Sequence, residues 1–455
     1  MRPASNLDYE FGTLKTQTGQ VNGMQIYSAV LKGWVHPADA FVQFFVDQAN
    51  SFWLDREHNH DDRFSVIGAG AEAVIEGDWA EGLADRIEPD QEIIGDAMPF
   101  DWRPGLVGLI GYEGTPRFIE SNRAIVFDHT HRRLYFVGRF ASAIDFESWH
   151  HAALLRLGLV AGDSASYRHR NKAKRAPSRA SLRHDSRSYL EMIATAQRHI
   201  AAGDVYQICL TNRIEIEQAP DPLDVYLELR KKNPAPYSAY FKLNDLVVVC
   251  SSPEQFLKVA VDGQISTKPI KGTRPRGRDQ FSDAAAAEEL RSNHKERAEN
   301  LMIVDLMRND IGRVAEAHSV NVPKLFEVES YATVHQLVST VEAKLSEGKT
   351  AVDALLSAFP GGSMTGAPKI RAMQIIEQLE RGPRGIYSGV IGYLGFDGRA
   401  DFGMTIRTIV FEGSRAYIGV GGGITSDSDP ESELAETRLK AAALLAAIGA
   451  NDPWV

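Results

Sequence analysis

The residues between Tyr417 and Lys440 bring a glycine run, two carboxylates and an amine into one strand, turn and helix. Tyr417 to Val420 runs as a strand into Gly421-Gly422-Gly423-Ile424. Three successive glycines cost conformational entropy, a cost that makes sense where bare N–H groups must approach an anion. Asp429-Pro430 then supplies a helix cap followed by a first-turn proline. In the helix it opens, Glu433 and Glu436 lie three apart and Lys440 follows Glu436 by four, all on one face. Taken alone this is a surface ion pair worth a few tenths of a kcal/mol. Beside an anion site it reads differently, because carboxylates repel an anion unless a cation lies between them. Mg²⁺ accepts one or two carboxylates and keeps its other positions for water or substrate oxygens. Glu299, in Arg297-Ala298-Glu299-Asn300, is placed to supply a carboxylate from another helix, with a solvated helix face as the alternative.

A second candidate is Lys268-Pro269-Ile270-Lys271-Gly272-Thr273-Arg274-Pro275-Arg276-Gly277. Prolines and glycines fix this backbone, so its cations are positioned. It suits an acidic small molecule, with Lys271 as a candidate nucleophile, or else it is simply a charged loop. An ordinary lysine is neutral in only about one molecule in a thousand near pH 7, so nucleophilic use demands burial or neighbouring positive charge. Gly361 to Lys369 has two glycines at the separation of a phosphate loop, but Ala367 and Pro368 stand where Lys and Ser/Thr are required, which excludes a Walker A motif. The cluster His58, His60, Asp61, Asp62 lies in one short polar stretch and is expected to be a loop.

The elements that must carry these residues are strands grouped together with helices inserted between groups. Strands are expected at 63–68, 106–112, 205–214, 246–251, 390–396, 404–411 and 416–420. Helices are expected from a Ser188-x-x-Glu191 capping box to Gly203, over 284–309 as one long element, from Pro368 to Leu379, and from Pro430 onward. The absence of strict βαβ alternation predicts an α+β fold with largely antiparallel sheets. A polar, basic stretch from Gly162 to Arg187, with Arg168, Arg170, Lys172, Lys174, Arg175, Arg179 and Arg183 around Pro177, is expected to be a solvated connection. It divides the chain into an N-terminal region (1–165), a basic linker (166–185) and a catalytic region (186–450).

The 455 residues allow two or three domains, and 44% hydrophobic with 24% charged residues is ordinary for a globular protein. Fifty Lys plus Arg against 60 Asp plus Glu give a net charge of −10, which argues against a nucleic-acid binder. Cys209 and Cys250 sit in apolar surroundings and are expected to be buried thiols in a reducing compartment. Met1 to Glu10 lacks the apolar core of a signal peptide, and no apolar run approaches the ~18 residues of a membrane span. No membrane association is expected, and a cytoplasmic location is.

Together the motifs resemble the chorismate-utilising enzymes of the anthranilate synthase and aminodeoxychorismate synthase component I family. The resemblance rests on Gly203-Asp204-Val205-Tyr206-Gln207, Ser251-Ser252-Pro253-Glu254, the run Arg297 to Asp305, Phe359 to Arg371 and the Gly421–Lys440 segment. Trp53-Leu54-Asp55 and Gly108-Leu109-Ile110-Gly111-Tyr112-Glu113 extend it more loosely to the N-terminal part. It implies two antiparallel β-sheets packed as a sandwich and surrounded by helices. It also implies roles: Glu299 and Glu436 as Mg²⁺ ligands with Glu433 alongside; Gly272, Thr273 and Lys440 at the ring carboxylate of chorismate; Tyr387, Arg407, Gly422 and Gly423 at the enolpyruvyl side chain; and His335 in the active site.

Two positions discriminate within the family. Members that add water to chorismate resemble one another in having a lysine base where this chain has Gln207. Anthranilate synthases typically read Pro-Ile-Ala-Gly-Thr, whereas this chain reads Pro269-Ile270-Lys271-Gly272-Thr273, the form of the branch that aminates ring carbon 4. The resemblance then implies Lys271 as nucleophile, Glu254 as general acid, ammonia from a separate glutaminase subunit, and a product bound for p-aminobenzoate and folate. The alternatives are amination to anthranilate or a catalytically silent member. Arg56 stands where the family's tryptophan-binding members have serine, so strong tryptophan inhibition is not expected.

Overall fold

The computed structural model describes residues 23–59, 61–88, 92–172, 178–331 and 333–455. Met1 to Glu10, His60, Lys174, Arg175 and Pro177 lie outside them, as does the side chain of Lys172. Among the described residues there are two sheets, of 13 and 10 strands. Their pairing is antiparallel apart from Gln25–Leu31 against Ile93–Gly95. Both sheets take strands from each side of the basic stretch: Asn50–Asp55 pairs with Tyr237–Leu243 in the larger, and Gly105–Ile110 with Val390–Gly395 in the smaller.

Strand alternation explains the layering. In Arg123–Asp128, Ala124 and Val126 face one cluster, which also holds Val107, Leu109, Ile391 and Tyr393 of the other sheet. Ile125 and Phe127 of the same strand face the opposite way, onto Phe41, Tyr226 and Leu444 of helices Pro37–Phe45, Pro222–Lys232 and Pro430–Ile448. The sheets are therefore buried on both faces, one against each other and one under helices, and their strands read as nearly continuous apolar runs. The smaller sheet is covered by His294–Gly312 and Ala351–Ala358 through Ile303, Val304, Met307 and Leu355. This is the α+β sandwich expected. Cys209 and Cys250 are free and buried. No helix among the described residues is long and apolar enough to cross a membrane.

Three local expectations are corrected. The helix Ser186–Ala201 is capped by Asp185, whose carboxylate accepts from Ser188 N at 2.8 Å, while Glu191 is engaged by Arg187; Ser188 is not the cap. The long helix expected over 284–309 is two, Gln280–Ser292 and His294–Gly312. Asn293 has an extended backbone and its side chain caps the second through Glu296 N, a role Asn fills better than a helix interior. The basic stretch is not a loop throughout, since it holds helix Asp163–Lys172 and strand Arg179–Leu182. Arg168 there pairs with Asp224 and Glu228.

Candidate active site

Three strands from the two sheets converge with two helices, His294–Gly312 and Pro430–Ile448. Strands Gln207–Glu217 and Arg415–Ile424 pair antiparallel, with Cys209 opposite Gly423 and Leu210 opposite Gly422. The first is pinned by a buried pair: Arg384 donates to Cys209 O at 2.8 Å, and Glu380 accepts from Thr211 N at 2.8 Å. Lys271 comes from strand Ile270–Pro275, whose register with Val334–Lys344 shifts between Ile270 and Thr273. Gly272 takes φ +85° in that irregularity, a conformation that favours glycine, and a Cβ there would strike Leu290 and Glu296 within 2.9 Å. Glu299 lies on helix His294–Gly312, joined to the Lys271 strand region by buried Asn300, which accepts from Ser339 and reaches Pro269 O.

The glycines of the last strand leave room for side chains. A Cβ on Gly423 would sit 2.6 Å from Gln207 Nε2 and 3.0 Å from Lys271 Nζ, and one on Gly422 would sit 3.2 Å from Glu433 Oε2. Gln207 is fully buried, yet neither its amide nitrogen nor its amide oxygen has a hydrogen-bond partner. A buried amide left unpaired costs roughly 1–3 kcal/mol, and this one borders Gly423 and Lys271. The sequence signalled it only as a position lacking a lysine base.

Charges alternate around it. Lys271 Nζ is 3.6 Å from Glu299 Oε2; Lys440 Nζ is 2.7 Å from Glu436 Oε1 and donates to Gly421 O at 2.8 Å. Lys295 Nζ stands 3.9 Å from Glu299 Oε1 and 3.6 Å from Glu433 Oε1. Glu433 is buried and also accepts from Ser428 at 2.7 Å. Burial raises the Glu299 carboxyl above its ordinary value, with Lys271 and Lys295 opposing. At Glu436 burial also pushes upward, but Lys440, Lys271 and Lys295 outweigh it and hold that carboxyl low. No three ligating side chains among the described residues approach closely enough to hold a metal ion by themselves. A Mg²⁺ ion needs only one or two carboxylates, and Glu299 and Glu433 already face a shared cation in Lys295, so the donor set fits such an ion.

Glu254 is the second buried acid. Burial pushes its carboxyl up to about 7, against the opposing effects of the Ser363 hydroxyl, the Lys271 charge and the Ile270 N–H. Ser363 Oγ donates to Glu254 Oε1 at 2.9 Å. Ser363 belongs to Gly361–Lys369, which the sequence excluded as a phosphate loop without showing its partner. A carboxyl near 7 is half protonated at neutral pH and can deliver a proton to a leaving group.

Other expected residues stand around or apart from this cluster. The Tyr387 ring covers Gly419, where a Cβ would come within 2.1 Å of it, and burial raises its phenol. Arg407 is lowered by burial, with Tyr387 and Glu436 opposing, and donates to Lys440 O at 3.2 Å. It takes φ +51°, a conformation uncommon for a non-glycine residue. The Thr273 side chain is exposed. His335 is buried with Nδ1 2.8 Å from Ser330 Oγ and Nε2 3.0 Å from Asp283 Oδ1, so both ring nitrogens are engaged within the fold. The expected loop at 58–62 carries Asp61, paired with Lys268, and Asp62, which accepts from Phe64 N at 3.0 Å.

Residues 56–446 match the family model described as chorismate binding enzyme. The chain belongs to the chorismate binding enzymes. It is 45% identical over 76% of its length to an aminodeoxychorismate synthase of Streptomyces griseus, of which it spans 50%. It is 38% identical over 90% of its length to anthranilate synthase component 1 of Thermus thermophilus, spanning 95% of that protein. The crystal structure of anthranilate synthase component I from Streptococcus pneumoniae TIGR4 superposes with a TM-score of 0.74 at 30% identity, covering 84% of this chain and 92% of that one. Family membership and the sandwich fold implied by the sequence motifs are thereby established.

Proposed function

We propose that the protein aminates chorismate at ring carbon 4, giving 4-amino-4-deoxychorismate, through a covalent adduct between Lys271 and ring carbon 2. The observation that supports this most strongly is the setting of Lys271. Its amine lies against the side-chain-free Gly423, beside the unpaired Gln207 amide and 3.6 Å from Glu299. The 45% identical relative named an aminodeoxychorismate synthase agrees with it.

Once neutral, the Lys271 amine attacks carbon 2, the double bonds shift, and the carbon 4 hydroxyl departs as water on taking the Glu254 proton. Ammonia then attacks carbon 4, the double bonds shift back, Lys271 leaves carbon 2 with its bonding pair, and the new carbon 4 ammonium returns a proton to Glu254. Chorismate and ammonia are consumed, aminodeoxychorismate and water are formed, and Lys271 is regenerated. Glu299 and Glu436, with Glu433 alongside, would hold Mg²⁺, which supplies positive charge for the ring carboxylate. Lys440 and the backbone at Gly272 and Thr273 would share that carboxylate, and Tyr387, Arg407, Gly422 and Gly423 the enolpyruvyl group. At pH 7 most free ammonia is unreactive ammonium, so a glutaminase subunit is the expected source. The setting is cytoplasmic and the product's use is p-aminobenzoate and folate synthesis.

The test is mass spectrometry of products from chorismate, Mg²⁺ and an ammonium salt at alkaline pH, comparing wild type with Lys271→Ala. Aminodeoxychorismate from wild type, falling about 10³-fold or more in the variant, is the expected result. Anthranilate from wild type would overturn the assignment, and absence of any amination would favour a silent member.

A further inference from the structure

We propose that the Lys295 ammonium is a built-in stand-in for the divalent cation, neutralising Glu299 and Glu433 in the metal-free protein and withdrawing when the ion enters. This rests on the reading that Glu299, Glu433 and Glu436 form the metal site.

The three lysines of the cluster are held differently. Lys440 is fixed by its hydrogen bond to Gly421 O and its 2.7 Å contact with Glu436. Lys271 is largely enclosed, its side chain 14% exposed. The Lys295 ammonium makes no hydrogen bond among the described residues, its side chain is 52% exposed, and both of its carboxylate contacts exceed 3.5 Å. It satisfies the charge of two acids without being tied to either. Removing it leaves buried Glu433 with only the Ser428 hydroxyl, and Glu299 with Lys271. A divalent ion between the same carboxylates would repel the ammonium, and the flexible four-carbon stem lets that ammonium swing into water. The lysine thus keeps the empty site folded and sets how tightly the ion binds.

The experiment is titration calorimetry of Mg²⁺ alone into wild type, Lys295→Met, Lys295→Arg and Glu299→Gln, with melting curves at zero and saturating Mg²⁺. Lys295→Met should bind Mg²⁺ about five- to tenfold more tightly than wild type, the size expected for two partly exposed ion pairs. It should melt lower than wild type without Mg²⁺ and gain more from its addition. Lys295→Arg should behave like wild type and Glu299→Gln should lose Mg²⁺ binding. Equal or weaker Mg²⁺ affinity in Lys295→Met, with Glu299→Gln still losing the ion, would overturn the role of Lys295 and leave the metal site standing. Absence of Mg²⁺ binding in wild type and Lys295→Met alike, or binding unaffected by Glu299→Gln, would overturn the metal site and this role together.

Discussion

Two clusters of buried charge in this protein use the same residue types and end differently. Around Asp55 and Arg56 every charged group finds an internal partner, although the Tyr226 hydroxyl and Trp53 Nε1 packed beside them have none. Asp55 accepts from Ser65 at 2.8 Å and Arg230 at 2.5 Å, and although burial opposes ionisation, the Arg230 charge holds its carboxyl at about 2. The Arg56 guanidinium lies 4.3 Å over the Tyr237 ring and 3.7 Å from Asp401, whose Oδ1 is 3.0 Å from the Tyr237 hydroxyl. Around Lys271 the equivalents are incomplete: Gln207 has no partner, Lys295 hovers beyond hydrogen-bond range, and Glu254 is met at close range only by neutral donors, the Ser363 hydroxyl and the Ile270 N–H. Burial of charge is common to both clusters and cannot by itself mark a site. What separates them is where the unmet capacity lies: in the first cluster two ring polar atoms lack partners while every charge is paired, and in the second both ends of the Gln207 amide are unpaired beside charges held at 3.6 Å or more.

The largest effect that would sharpen this contrast is at Glu254. Glu254→Gln keeps the shape and the Ser363 contact but removes the proton, and turnover should fall about 10²–10⁴-fold. The carboxyl at about 7 also fixes the pH dependence. The acid is active only while protonated, so the ratio of wild-type to variant kcat/KM should decline as pH rises through 7; taking the ratio cancels the titration of ammonia. A ratio independent of pH from 6 to 8 would remove Glu254 as the acid.

Next in size is Arg56→Met. It strands Asp401 beside Tyr237 in a closed environment, and breaking such a buried pair costs about 3–5 kcal/mol. Denaturant unfolding should show that loss, while kcat of the folded fraction stays close to wild type. A fall in kcat without loss of stability would mean that this cluster, too, acts on substrate.

How far each cluster was legible in the sequence follows from what holds it together. The last helix, the glycine strand end and the Glu299 helix were readable because caps, spacing and motif text are local. The split at Asn293 was missed because a run without Gly or Pro looks continuous until the Asn side chain turns back onto Glu296 N. The link between Ser363 and Glu254 spans 109 positions and depends on the packing of a loop against a strand end. Lys295 reads as an ordinary helix-surface lysine four before Glu299, and only the arrival of Glu433 from the final helix gives it a second partner. At His335 the motif named the residue, but its hydrogen bond to Asp283, 52 positions away, was hidden for the same reason.

The smallest effect is the most discriminating. Gln207→Leu removes a buried polar group, as Arg56→Met does, but the group has no partner to strand. Replacing an unsatisfied amide by an apolar side chain of similar size relieves a desolvation cost of roughly 1–3 kcal/mol, so the ligand-free protein should become more stable by about 1 kcal/mol. The cost moves to the complex: if the amide serves chorismate, KM should rise about tenfold, as expected for losing one hydrogen bond to a charged ligand. Opposite signs of the stability change at Arg56 and Gln207, measured by the same denaturant titration, would establish one cluster as structural and the other as a binding site. A destabilised Gln207→Leu with unchanged KM would mean that the amide is paired within the fold and would erase the distinction.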